Sequence, residues 1–332
     1  MGCRAVRLFF IFVFTLVLGV LGAGYWWVNQ PFVLATPTVD LSIEPGTGAR
    51  EVANAVVDSG VPVNPRLLYA WFRVSGQSRQ IRAGSYELNR DATPRSLLRK
   101  LVRGEEALRS VTLVEGWTFR QVREALQKAE QLKPDSRSLT PADIMTQLGQ
   151  TGVPAEGHFF PDTYTYSKGS SDMAVLKRAL HAMDKKLAAA WSQRASDSPL
   201  ANAEQALVLA SIVEKETGTA ADRPTIAAVF SNRLRVGMRL QTDPTVIYGL
   251  GAAFDGNLRK KDLLTDTPFN TYTRDGLPPT AIAMPSKASL LAAVQPAPSN
   301  ALYFVARGDG SSQFSNSLDE HNRAVNKYQR GQ

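Results

Sequence analysis

The chain has 332 residues, 44% hydrophobic and 20% charged, with a formal net charge of +8. That is enough for two modest domains with cores of their own. Its basic residues are scattered among acids, which excludes a nucleic-acid-binding composition and leaves an anionic envelope component as the better electrostatic match. The single cysteine, Cys3, precedes the first apolar run, so no disulfide is expected after it.

Leu8 to Val28 runs for 21 positions without a charge, which predicts one membrane-spanning helix. Arg4 and Arg7 precede it, and the next charge is Asp40. The positive-inside rule therefore puts the N-terminus in the cytoplasm and the rest outside. Tyr25, Trp26 and Trp27 fall where an interfacial aromatic belt lies. The run is longer than the apolar part of a secretory signal, so a retained anchor is preferred to cleavage at Leu21 to Ala23.

After a short Pro-bearing spacer, Gln30 to Thr38, the periodicity predicts a small mixed unit. Val39 to Ile43 alternates like a strand, and Ala49 to Ser59 and Leu67 to Val74 read as amphipathic helices. Ala83 to Leu88 reads as a second strand, and Arg95 to Arg103 as a helix capped by Asp91-Ala-Thr-Pro. Part of the pattern recurs with an offset of 70: Ser42 to Gly46 followed by Arg50 and Val52, against Thr112 to Gly116 followed by Arg120 and Val122. Either a duplicated strand–turn–helix unit or shared local grammar accounts for it.

Lys133 to Thr140 is loop-like and Pro141 starts a helix. Glu156 to Tyr166, EGHFFPDTYTY, is dense in aromatics and turn formers, which suggests a rim or platform. Asp172 to Trp191 is a long amphipathic helix.

The organising stretch is Asn202 to Gly218. Asn202 is an N-cap, and Ala206 to Val213 is apolar on every side except Ser211, which places the helix inside the fold. Its last turn carries Glu214, Lys215 and Glu216, and Gly218 stands where a C-cap glycine would stop it. A carboxylate there meets the negative end of the helix and apolar neighbours, and both push its pKa upward. A Glu kept protonated near neutrality is a general acid. Positions 214 and 216 lie about 200° apart, so they cannot share a face. Periodicity leaves open which of the two serves chemistry.

Beyond it, Arg223 to Arg235 is helical, and the passage from Met238 to Gly251 reads as strand-like and turn-rich. Pro268 to Ser286 is an ordered loop with Asn270, Thr271 and Tyr272 at its polar centre. Lys287 to Val294 is a short helix, Leu302 to Ala306 a buried strand with a hairpin return at Phe314, and Leu318 to Tyr328 a terminal helix.

His158, His181 and His321 have no metal-ligand spacing, so no metal site is expected. Glycine motifs for dinucleotides or phosphates and a GxSxG elbow are missing, so no cofactor and no serine hydrolase is expected. A buried acid-bearing helix beside polar, aromatic-rich loops suits a sugar polymer. The cofactor-free reaction that needs a high-pKa carboxyl is glycosidic cleavage.

ASIVEKET at Ala210 to Thr217, NRLRVGMRLQTDPTVIYGLG at Asn232 to Gly251 and FNTYTRDGLPP at Phe269 to Pro279 resemble the MltG (YceG-like) endolytic murein transglycosylases. EGHFFPDTYTY and the NSLDEHNRAVNKY tail are also similar to that family, so the resemblance spans roughly Thr38 to Tyr328. It implies an α+β fold: an N-terminal transmembrane helix (residues 1–30, then a spacer, 31–38), a LysM-like module (39–110) and a catalytic domain built around the buried helix (111–332). It implies Glu216, the second glutamate of EKET, as catalytic acid, with Glu214 left a structural or supporting role at the helix end. Gln241, Asp243, Asn270 and Tyr272 would contact substrate, and Glu156 is a further candidate. The sequence departs from the family pattern at His158, Thr280 and Ser286.

The implied activity is endolytic cleavage of nascent peptidoglycan glycan strands between N-acetylmuramic acid and N-acetylglucosamine, terminating chain growth. The implied place is the bacterial inner membrane with the catalytic domain in the periplasm, near penicillin-binding proteins or other cell-wall synthases. The competing expectation is a non-catalytic, membrane-anchored glycan-binding scaffold that recruits synthases.

Overall fold

The structure, a computed structural model, describes residues 2–331, with side chains from residue 7 onward. The readings made on Cys3 and Arg4 therefore concern side chains outside the described set. The chain divides into two compact bodies, residues 1–109 with 167–169, and residues 110–166 with 170–332.

The first body opens with helix α1 (Gly2–Val28). Its stretch Arg7–Val28 has a mean hydropathy of 2.3 and is long and apolar enough to cross a membrane. Then come β1 (Thr38–Ile43), α2 (Ala49–Asp58), α3 (Pro65–Val74), β2 (Gly84–Asn89) and α4 (Pro94–Arg103). β1 and β2 pair antiparallel, Thr38 opposite Asn89 and Ile43 opposite Gly84. The alternation read from sequence is the one observed: Val39, Leu41 and Ile43 point inward and meet Val52, Val56, Leu68, Phe72, Leu97 and Leu101. α4 starts at Thr93, whose hydroxyl accepts from the Ser96 N–H at 3.1 Å, and ends at Gly104 with φ 68°, a left-handed stop that favours glycine.

The second body carries β3 (Leu108–Thr112) from Ser110 on, α5 (Phe119–Lys128), α6 (Pro141–Gln147), β4 (Thr163–Ser167) as far as Tyr166, α7 (Asp172–Trp191), α8 (Ala203–Glu216) and α9 (Arg223–Arg235). It continues with α10 (Asp243–Leu250), α11 (Lys260–Leu264), α12 (Lys287–Val294), β5 (Tyr303–Ala306), β6 (Ser312–Ser315) and α13 (Leu318–Gln329). β3 pairs with β4 and β5 with β6, the latter antiparallel with Phe304 opposite Phe314. The two segments related by the 70-residue offset, β1 into α2 and β3 into α5, are both strand–turn–helix, with left-handed glycines at Gly46 and Gly116 in the turns.

α8 is the axle of this body. Ala206 through Val213 are all buried, and α7, α9, α10 and α12 pack around it. Asn202 caps it by accepting from the Gln205 N–H at 2.9 Å. The one polar residue of its apolar run is used: Ser211 donates to the Val208 carbonyl at 2.7 Å and accepts from the Ile282 N–H at 3.0 Å. That bond pins the loop before α12 to the helix.

Three expectations are corrected. The helix stops at Thr217 in extended conformation, not at a left-handed Gly218; position 218 needs glycine because a Cβ there would lie 2.8 Å from the Gly310 carbonyl oxygen. The supposedly strand-like passage from Met238 to Gly251 contains helix α10. Its β-branched run Thr245-Val246-Ile247 imitates a strand, but Thr242 and Pro244 start a helix in its first turn. The EGHFFPDTYTY segment is no open platform: His158, Phe159, Phe160, Tyr164 and Tyr166 are buried, and its second half is strand β4.

Replacing Ser211 by Ala leaves the buried Ile282 N–H without an acceptor. The expected cost is about 1–3 kcal/mol, read as a lower denaturation midpoint at unchanged m-value.

Candidate active site

Glu216 ends α8 at a cleft of about 630 Å³, lined also by Arg233, Gln241, Asp243, Tyr272, Tyr303 and His321. The cleft lies wholly within the second body. Five parts of the chain bring these side chains together: the end of α8, the last turn of α9, the turn into α10, the loop before α12 that carries Tyr272, and the β5–α13 pair. Glu214, 200° around the helix, is directed elsewhere. It accepts from the Ser286 N–H at 2.8 Å and the Ser286 hydroxyl at 2.6 Å, bracing the start of α12. Geometry thus separates the two glutamates that periodicity left equivalent.

Burial is the largest influence on Glu216 and pushes its carboxyl pKa up. A hydrogen bond from the Thr242 hydroxyl to Glu216 Oε1 pulls the other way. The charge of Asp243 adds to the rise and that of Arg233 opposes it. Thr242 is itself fixed: its N–H donates to the Thr271 hydroxyl at 3.0 Å, and Thr245 donates to the Thr242 carbonyl at 2.7 Å.

Gln241 sits at φ 46°, in the left-handed region sparsely used by side-chain-bearing residues. Its N–H donates to the Thr271 carbonyl at 3.1 Å, which holds the turn in that state and leaves the side chain exposed in the cleft. Such strain kept by surrounding bonds is typical of ligand-facing turns. Asp243, the next residue but one, accepts from the Tyr272 hydroxyl at 2.5 Å. Burial, then that same Asp243, hold the Tyr272 phenol protonated well above its ordinary range.

Asn270 differs from its expectation of touching substrate. It is fully buried, its amide donates to the carbonyls of Asp262, Leu263 and Thr265, and its oxygen accepts from the Tyr272 N–H at 2.8 Å. It holds the loop that presents Tyr272. Glu156 is also outside this cleft, in a separate cavity beside Phe119 and Tyr248.

Sequence reasoning passed over two neighbours, Thr242 and Arg233, and gave a third, His321, a structural role although its helix could reach a cleft. Thr242 was hidden between the two residues chosen from its motif. Arg233 is buried to 7% exposure, with Nε donating to Leu302 O at 2.7 Å and Nη1 to Leu240 O at 2.6 Å, its guanidinium 5.4 Å from the Tyr303 ring. A charged residue on the apolar side of α9 was the available signal. His321 stacks on Tyr303 at 5.2 Å and 23°, and burial followed by the Arg233 charge lowers its pKa, which favours the neutral imidazole.

The fold and site define a class: an α+β body with a desolvated carboxyl at the mouth of a polar, aromatic-edged cleft. The YceG-like family model matches residues 41–327. The chain belongs to the YceG-like family. An endolytic murein transglycosylase of Bacillus subtilis (strain 168) is 29% identical over 310 residues, covering 88% of this chain and 85% of that protein. One from Streptococcus pneumoniae serotype 2 is 26% identical over 360 residues, covering 95% of this chain but 64% of that longer protein. Among solved structures, a yceG-like protein of Listeria monocytogenes superposes with a TM-score of 0.55 at 29% identity, over 86% of this chain and 98% of that one.

The Glu156 carboxyl gives a pH test of the core. Burial raises its pKa from 4.5 to about 7, against hydrogen bonds from the Phe119 N–H and the Tyr248 hydroxyl. A raised acid adds stability that is full below 4.5 and lost as pH climbs through about 7. Glu156→Gln is expected to remove that decline, worth on the order of 3 kcal/mol, in denaturation curves across this window.

Proposed function

We infer that this chain is a lytic transglycosylase acting on peptidoglycan, with Glu216 as its single acid–base group. The observation that carries the reading is the Glu216 carboxyl itself: desolvated, raised in pKa and lining an open cleft, in a chain of the YceG-like family. The curated relatives, named endolytic murein transglycosylases, give the substrate class.

The proposed reaction starts with protonated Glu216 giving its proton to the oxygen that joins N-acetylmuramic acid C1 to N-acetylglucosamine O4. The C1–O bond breaks and the N-acetylglucosamine end leaves with its hydroxyl restored. Positive charge grows on the muramyl C1, and Asp243, oriented by Tyr272, supplies a fixed negative charge nearby. The muramyl C6 oxygen then bonds to C1 while its proton returns to the Glu216 carboxylate. The product is a 1,6-anhydro end, and no water is consumed. One carboxyl thus does both halves, unlike the two-carboxylate scheme of ordinary glycosidases. Thr242 and Arg233 suit the second half, because both favour the ionised form that must accept the proton.

In this proposal Gln241 and Tyr272, which line the cleft, bond sugar hydroxyls or acetamido groups, and the Tyr303–His321 stack serves as an aromatic wall. Residues 39–110 act as a LysM-like glycan-binding module in this proposal; the strand–helix–helix–strand order of β1, α2, α3 and β2 supports it. α1 anchors the chain in the inner membrane with the N-terminus cytoplasmic and the catalytic domain periplasmic, beside cell-wall synthases, where cutting within nascent strands ends their elongation.

Glu216→Gln keeps shape and removes the acid. Release of anhydro-ended fragments from purified glycan strands is expected to fall by roughly two to four orders of magnitude, measured by mass spectrometry. For the wild type, the rate is expected to fall as pH rises through the raised Glu216 value, because the first step needs the protonated acid. Undiminished release by Glu216→Gln rejects the mechanism, and products heavier by one water identify a hydrolase instead.

A further inference from the structure

The first body carries a surface that the proposed reaction does not use, beside the end of α1. No slack chain separates the two. Val28 is buried, Trp27 packs on the core of this body, and Phe32 and Leu34 belong to that core. The Phe32 N–H donates to the Ala92 carbonyl at 2.8 Å, just before α4. Arg95, in the first turn of α4, donates to Asn29 Oδ1 at 3.1 Å, and its guanidinium lies 5.2 Å from the Tyr25 ring. α4 therefore starts at the level of the aromatic residues that close the apolar run of α1.

From there α4 carries a row of arginines. Arg95, Arg99 and Arg103 follow at four-residue steps, so they share one side of the helix. Together with Trp71, Ser75 and Gln77 they line a hollow of about 460 Å³, and no Asp or Glu is among its lining residues. Arg95 is held by Asn29 and Tyr25, neither of them acidic, and Arg103 meets the exposed Glu105 at 3.5 Å. Arg99 is exposed and has no acidic partner among the described residues.

α3 is apolar on two sides. Leu68 and Phe72 are buried in the core of the body. Leu67, Ala70, Trp71 and Val74 form a second stripe at helical spacing, and nothing covers it: Leu67 is 53% exposed and Val74 83%. Trp71 is the seam between stripe and arginines, its indole donating to the Pro94 carbonyl at the start of α4 at 3.2 Å. Val33, between the buried Phe32 and Leu34, is likewise 84% exposed. An aliphatic stripe bordered by arginines and a tryptophan, tied to the end of a membrane-length helix, is the pattern of a face that lies among lipid headgroups. A glycan suits it less, because Leu67, Ala70 and Val74 offer no flat ring to a pyranose.

We propose that this α3–α4 face docks on the membrane, with the phosphate headgroups of anionic phospholipid in the arginine-lined hollow. The Leu67–Val74 stripe then lies at the boundary between headgroups and acyl chains. The inference rests on α1 being the membrane anchor proposed above. It gives the first body a second, charge-dependent hold on the bilayer.

The test uses full-length protein reconstituted into vesicles of phosphatidylcholine alone or of equimolar phosphatidylcholine and phosphatidylglycerol. Cys3→Ser leaves Val74→Cys as the only site for a fluorescent label, and phosphatidylcholine spin-labelled at its headgroup quenches a label lying at the surface. Strong quenching is expected in the phosphatidylglycerol vesicles, and much less in the neutral vesicles or at high salt. Arg99→Gln with Arg103→Gln spares the Arg95 contacts to α1. That pair is expected to lower the ratio of quenched to unquenched label roughly tenfold or more, whereas Arg99→Lys with Arg103→Lys preserves it. Equal quenching in both vesicles, or quenching that the glutamines leave unchanged, overturns the proposal. Release of the label by soluble glycan strands, dependent on Arg99 and Arg103, overturns it too and assigns the face to glycan. An alkaline wash reads the anchor separately. Chain that stays in the pellet with an unquenched label rejects the docking alone, and chain that washes off rejects the anchor itself.

Discussion

The second body is organised around one carboxyl that a buried helix delivers, largely desolvated, to a cleft. α8 is apolar on every side but Ser211 from Ala206 to Val213, so four helices close over it, and its last turn brings a half-buried Glu216 to the cleft. Glu216 is therefore raised by burial before any neighbouring charge is counted. A surface helix ending in the same residues would present an ordinary, ionised glutamate.

The surrounding loops bear on that group in opposite directions. Thr242, locked by Thr271 and Thr245, gives it a hydrogen bond that favours the anion, and Asp243 gives it a repulsion that favours the acid. Arg233 tips the balance back toward the anion while stitching α9 to Leu240 and Leu302. The strained Gln241 backbone and the fully satisfied Asn270 amide are the means by which this turn and loop keep their shape. The acid–base role proposed for Glu216, giving and then recovering a proton, calls for such opposed influences rather than a single dominant one.

Much of this was legible in the chain itself. Alternation in Val39 to Ile43 and the helical spacing of Leu97, Leu98 and Leu101 gave the right faces, because each element packs on one side only. The all-apolar run before Glu214 announced a buried helix. What one-dimensional reading misjudged was tertiary. Phe159 and Tyr164 look like a sugar platform until the body closes over them. Thr245-Val246-Ile247 looks like a strand until Pro244 fixes the first turn. The choice of Glu216 over Glu214 rested on motif resemblance, since both occupy the same last turn. Only the contact between Ser286 and Glu214 shows in physical terms why the second glutamate is free for the cleft. Arg233 and His321 come from segments far apart in sequence, and no local pattern joins them.

The most direct measurement is the titration of the Glu216 side-chain carboxyl itself, followed by its carbon-13 shift in the folded protein with Glu216→Gln as the assignment control. The account predicts a midpoint clearly above the ordinary glutamate value of 4.5. A midpoint at or below that value would mean a solvated anion at the cleft and would contradict it.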